Sequence, residues 1–348
     1  MQAVDGDSIL HLKQRRQGDL LGYGLLLLRR GDERGSQDLG RWARPSKPSF
    51  EPLEGESDPP PLKADTSTEI VLRYLSHPNQ KQFFPQVSII TNNHFDTDGL
   101  LSVWTLLNPR KAEPMAGRLI AAAEAGDFSS FSSEEGVQMN LLIEGLASSG
   151  ESPILSQLSA YPGPKEAFLY KTLMPMLPDL FRRKDEYRPL WRESYDSIVQ
   201  SMELFEKGII GVEEHEQEGL SVIIDEQRPA RQAIDHHCQG NLFLVIEDRE
   251  REEGGFGYEL EYRYYAWAET VTRPPIPPIP MEPLAEHLNR HEGLREGKWM
   301  AGGYAAQSMT SALKYTDETG RRHLSRLHPD QVIQIVLTYL QSREIDSN

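Results

Sequence analysis

The chain has 348 residues, 38% of them hydrophobic, with a formal net charge of −16 and a sequence pI of about 5.1. That is enough apolar material for one large domain or two ordinary ones, and the acidic balance excludes bulk attraction to phosphate backbones or anionic lipid. The single cysteine, Cys238, excludes an internal disulfide framework and a cysteine zinc cluster, which fits a reducing, cytoplasmic setting.

The start, Met1 to Asp7, lacks a basic stretch followed by an apolar core, and the run Leu20 to Leu28 is too short to span a bilayer. Neither a signal peptide nor a transmembrane helix is expected, and no membrane partner. Residues 1–62 read as a poorly ordered extension: net basic from about Lys13 to Lys47, with little apolar periodicity, leading to Pro48 and Pro59-Pro60-Pro61. A flexible leader is the plain interpretation and a basic docking arm the other.

An α/β core domain is expected over 63–273. Asp65-Thr66-Ser67-Thr68-Glu69 offers N-cap candidates before Ile70, Val71, Leu72 and Leu75, so a short helix begins there. Val87-Ser88-Ile89-Ile90, between Pro85 and Asn92-Asn93, has the character of a buried strand. After a polar loop, Leu100 to Leu107 make a helix that stops at Pro109. A second helix runs from about Met115 and closes at Gly126-Asp127-Phe128, where the glycine would fit a left-handed cap. Further helices are expected within Glu134 to Leu146, Lys165 to Met174 and Arg192 to Lys207.

From Gly219 the pattern turns to short β-prone runs: Leu220 to Ile224, Gln232 to Ile234, Leu242 to Ile246 and Tyr258 to Trp267. Only Glu226 to Arg231 separate the first two, which suits a hairpin better than a parallel crossover. Alternation in Tyr258 to Tyr264 predicts an antiparallel sheet with one wet face. The fold class is therefore α/β, a mixed sheet with flanking helices and an antiparallel β-rich section in the C-terminal half. The run Pro274 to Pro280 makes a polyproline linker, a rigid spacer or else a PPII ligand. A C-terminal helical section follows over 281–345, with helices near Pro283 to Asn289, Ala305 to Leu313 and Pro329 to Gln341. No internal repeat is visible.

The segment Asn93-His94-Phe95-Asp96-Thr97-Asp98-Gly99 carries the strongest chemical signal. It follows a strand, where open α/β sheets bind ligands, and places His94, Asp96 and Asp98 within a few residues. Clustered carboxylates repel unless a cation offsets them, and Mn²⁺ or Mg²⁺ would do so, the imidazole tilting the choice toward Mn²⁺. The same residues also fit local roles, with Asp98 capping the helix near Gly99, Asp96 bonding loop amides and His94 filling the loop.

The other candidate is Ala233-Ile234-Asp235-His236-His237-Cys238, an apolar strand end opening into Asp-His-His, or simply a histidine pair exposed in a turn. Together the two segments resemble the DHH phosphoesterase superfamily, which joins an Asp-x-Asp-Gly motif to a later Asp-His-His. The resemblance implies two Mn²⁺ or Mg²⁺ ions held by His94, Asp96, Asp98 and His236, with Asp235 orienting and His237 touching a phosphoryl group. The first motif here is His-x-Asp-x-Asp, closer spaced than His-x-x-x-Asp-x-Asp, and the acid that would bridge the ions is not identified by pattern; Asp127 and Asp225 are the candidates. Asp127 also reads as a turn residue after its helix.

Over a longer span, Asp65 to Ile70, Asn92 to Ser102, Ala125 to Phe128 and Arg263 to Trp267 look like the landmarks of an uncharacterised bacterial protein family covering about Lys63 to Leu313. In that resemblance the Asn-His-Phe-Asp-x-Asp-Gly segment is typical and Asp-His-His is not. Gly302-Gly303-Tyr304 lacks the strand and lysine of a nucleotide loop. Cys238 reads as a structural thiol, and Arg263 as stacked on aromatics or binding an anion.

The expected function is a metal-dependent hydrolase of a phosphate ester or anhydride, acting on a small phosphorylated substrate. The alternative is a non-catalytic protein that binds a metal or small ligand through the same loop.

Overall fold

A computed structural model of the chain describes residues 19–21, 25–29, 62–80, 87–92, 94–264, 271–274, 276, 279–293, 296–302 and 311–346. The chain divides into two compact units, 1–195 with 269–274, and 196–268 with 275–348. The boundary within the first stretch falls inside the helix Arg192–Glu206, so the single core expected over 63–273 is split between two units.

The first unit is mainly helical. Helix α1, Ser67–Ser76, starts as the capping pattern predicts, with Thr66 Oγ1 accepting Glu69 N–H at 3.2 Å. Strand β3, Val87–Asn92, leads through the polar loop into α2, Thr97–Leu107. The helices α3, Ala116–Asp127, α4, Glu134–Ser148, and α5, Lys165–Arg183, complete its principal elements. Leu100, Leu101, Leu119, Val137, Met139, Leu142 and Leu173 are fully buried and form its interior. α5 continues through Pro175 and Pro178, past the expected stop at Met174.

Within the expected extension, Asp19–Leu21 (β1) and Leu25–Arg29 (β2) form strands, and β2 pairs antiparallel with β3, Leu25 lying opposite Asn92. Part of the segment anticipated as poorly ordered therefore belongs to a three-stranded sheet. The Leu25 to Leu28 run is too short to read as an element by periodicity.

The second unit is built on a six-stranded mixed sheet in the order β4-β5-β6-β7-β9-β8: Gly211–His215, Leu220–Asp225, Leu242–Asp248, Phe256–Tyr262, Ser311–Thr316 and Lys298–Ala301. Only β5 and β6 are parallel. A mixed sheet flanked by helices, with its strands in the C-terminal half, is the fold class the sequence predicts.

Three local expectations fail here. The face of β7 expected to be wet is covered, Glu259 and Glu261 being buried in ion pairs with Arg228, Arg231 and Arg322. Gln232 to Ile234 is no strand: Arg231–His237 is a helix, α7, and it makes the crossover between the parallel strands β5 and β6. The expected hairpin is thus a β-α-β connection, in which Ala233 and Ile234 are buried with Phe205, Ile223 and Phe243. Ser311 to Leu313, expected at the end of a helix, lies in β9, paired with β7 and β8. Helices α8, Glu282–Glu292, and α9, Pro329–Asp346, match the pattern closely. Tyr265 to Trp267, Gly303, Tyr304 and part of the proline run lie outside the described residues.

Candidate functional site

The loop after β3 is fixed by its own backbone chemistry. Asp96 is the N-cap of α2, its Oδ1 accepting Gly99 N–H at 2.7 Å. A side chain at position 99 has no room, since a Cβ there would run into Asn92 Nδ2 and approach Asp96 Oδ1 and Tyr170 Oη at 2.8 Å. Glycine lets the helix start press against the strand end and the tyrosine.

Asp98 does not cap its own helix. It is 4% exposed, and its two oxygens accept Ser67 N–H and Thr68 N–H, each at 2.8 Å, so it satisfies the first amides of α1. Thr68 Oγ1 donates to the Asp98 carbonyl at 3.2 Å. The local roles therefore differ from those expected: Asp96, expected to bond loop amides, caps α2, and Asp98, expected to cap that helix, accepts the first amides of α1.

Asp127, the last residue of α3, hydrogen-bonds to Asp98. Its carboxyl is pushed well above the usual range by burial, by Asp98 and by Asp96. Asp98 is also raised, by burial first and then Asp96. A charged carboxylate is disfavoured at a helix C-terminus, where Asp127 stands, and favoured at the helix N-terminus that Asp98 faces. Gly126, expected as a left-handed cap, lies within the helix without positive φ, and a Cβ there would approach Asn140 Oδ1 at 2.9 Å.

His94 and Asp96 form an exposed ion pair. Asp96 raises the histidine above its ordinary value, chiefly through their hydrogen bond. Below them Tyr170, from α5, accepts Asn92 Nδ2–H at 2.7 Å and donates to the His94 carbonyl at 3.0 Å. Its ring meets Phe95 edge-on at 5.3 Å, and burial raises its hydroxyl pKa, with Asp96 adding to the effect. Thr97 Oγ1 donates to Asn140 Oδ1 at 2.5 Å, and Asn140 donates to Glu144 at 3.1 Å. The C-terminal end of α3 is held by Arg273, whose guanidinium lies 4.1 Å from the centre of the Phe128 ring and pairs with Asp65.

His94, Asp96, Asp98 and Asp127 thus meet in the first unit. Tyr170 and Asn140 reach the loop from distant helices without any sequence signal, and Glu144 is tied to it through Asn140. Among the described residues, no three His, Cys, Asp or Glu side chains are arranged as a ready metal shell. Three of the four carboxylate oxygens of Asp98 and Asp96 accept backbone amides.

Asp235, His236 and His237 belong to the second unit and stand on α7, where a strand end was expected. Asp235 is held by Arg263, whose Nε donates to Oδ1 at 2.9 Å and whose Nη2 donates to the Asp235 carbonyl at 2.7 Å. His237 stacks on Phe205 at 5.0 Å; burial and His236 lower its pKa, and its Nε2 is buried without a hydrogen-bond partner. His236 is exposed. Arg263 also lies 5.8 Å from the Phe243 ring centre, which joins the aromatic and ion-pair roles. Cys238 is 2% exposed with its thiol pushed up to about 12 by burial, a structural thiol.

The chain belongs to a family of unknown function, DUF6687, whose model matches residues 53–346. No curated protein matches the sequence significantly.

Proposed function

We propose that this member of the family is a divalent-metal-dependent hydrolase of a phosphate ester or anhydride, with Asp96, Asp98 and Asp127 as the acids that receive Mn²⁺ or Mg²⁺. The supporting observation is the meeting of Asp98 and Asp127, from two separate helices, where burial and neighbouring carboxylates raise both carboxyls above the usual range. Negative charge crowded in this way is what a divalent ion would offset. Carboxylate oxygens suit hard cations, and His94 beside Asp96 extends the set toward Mn²⁺. The bound ion would neutralise phosphoryl charge and lower the pKa of an attacking water. The acidic surface favours a small phosphorylated substrate over nucleic acid, and the reduced, buried Cys238 is in keeping with a cytoplasmic location.

The role implied for Asp235, His236 and His237 is not carried into this proposal. Asp235 is engaged by Arg263, and the triplet lies on a crossover helix.

A second reading, a non-catalytic protein that binds a metal or small ligand, is favoured by the amide partners of Asp96 and Asp98, which serve as caps without any ion. Hydrolysis of a generic phosphodiester and of pyrophosphate, with and without Mn²⁺, separates the two when run beside thermal melts of wild type and Asp127→Asn. Turnover that needs Mn²⁺ and disappears in the variant supports the hydrolase. A metal-dependent rise in melting temperature without turnover supports the binding protein. Neither effect leaves the acids a purely structural role.

A further inference from the structure

We propose that His287 and His291, on the exposed face of α8, form a surface site for a borderline transition-metal ion of the Zn²⁺, Ni²⁺ or Cu²⁺ class. The two stand four residues apart on one helix, the spacing that places side chains over one another. Both are exposed, and their rings lie 4.7 Å apart between centres at an interplanar angle of 32°. At this spacing, rotation of the exposed side chains can bring one nitrogen of each imidazole to a single ion.

The second contact of each ring supports the assignment. His291 Nδ1 lies 3.0 Å from the His287 carbonyl, so Nδ1–H donates there and the Nε2 lone pair is left for a metal. A carbonyl acceptor behind the ring is the usual arrangement for a metal-ligating histidine. His287 Nδ1 lies 3.3 Å from Arg290 Nη2. That arginine is exposed and long, so it can turn away when an ion arrives.

Two imidazoles leave the rest of the coordination shell to water. Nitrogen donors select the borderline ions over Mg²⁺, whereas the carboxyl set of the first unit offers hard oxygen donors. The two sites therefore differ in the ions they take, and this inference stands whether or not the hydrolase proposal does.

The test is a calorimetric titration of Ni²⁺ alone into the full, tag-free chain near pH 7, for wild type, His287→Gln and His291→Gln. Loss of an outer partner of a ligand already weakens metal binding roughly 10–100-fold, so loss of either direct ligand should weaken it at least that much. Both side chains are exposed, so metal-free melting temperatures should match wild type. Ni²⁺ binding as tight in either variant as in wild type, which would trace the ion to other imidazoles, overturns the proposal, as does a wild type that binds no Ni²⁺.

Discussion

The carboxylate of Asp98, in the first turn of α2, accepts the backbone N–H of Ser67, the first residue of α1, at 2.8 Å across 31 positions of sequence. One buried side chain thereby joins two helix starts. Both N-termini carry partial positive charge, which offsets a carboxylate held away from water.

Asp98→Asn should destabilise the protein by about 1–3 kcal/mol in metal-free buffer, because asparagine offers one acceptor oxygen where two amides need partners and leaves a buried N–H unsatisfied. Asp98→Ala should cost more, since both amides lose their acceptor and a cap is removed. Urea denaturation checks the order. Equal midpoints for wild type and both variants would contradict the cap.

At position 99 the prediction concerns volume. A methyl group there would push Asn92 away from Tyr170 and crowd Asp96, so Gly99→Ala should cost about 1–3 kcal/mol, the range for overpacking a tight site. Helix propensity alone predicts the opposite sign, since alanine is better than glycine by about 1 kcal/mol. A stabilised variant in thermal melts would therefore show that the close approach is not real.

Tyr170→Phe removes the hydroxyl that accepts from Asn92 and donates to the His94 carbonyl while keeping the edge contact with Phe95. The loss should be about 1–3 kcal/mol, with a buried Asn92 amide left short of a partner. Hydrogen exchange should rise first at the loop around His94. An unchanged exchange pattern and melting temperature would remove Tyr170 from the support of the site.

The helices and the strand before the loop were legible because each announces itself locally: Thr66 with Glu69, Val87 to Ile90, and the apolar run after Gly99. The segment Arg231–His237 was not, because a short apolar run has no decisive period and its identity comes from packing Ala233 and Ile234 beneath β5 and β6. Gly126 was misread for the same local reason, as its smallness serves a close approach to Asn140. In the site, the loop acids were visible as a motif. Their division of labour was not, since the partner of Asp98 is an amide 31 residues away and Tyr170 reaches His94 across 76.

The remaining prediction uses the raised pKa of Asp127. Its folded pKa lies above that of the unfolded chain, so folding binds a proton, and the stability it contributes is complete below the unfolded value near 4. That contribution is lost as pH rises through the folded pKa, at about 1.4 kcal/mol for each unit of separation. Asparagine at 127 is neutral at every pH and can donate an N–H to Asp98 in place of the proton. With a chelator present, Asp127→Asn should differ little from wild type below pH 4 and should gain on it progressively as pH rises from there through the folded pKa of Asp127. Urea midpoints measured across that range give the two curves. Parallel curves would mean that Asp127 titrates as an ordinary carboxyl, and the crowding of charge on which the metal proposal rests would then be absent.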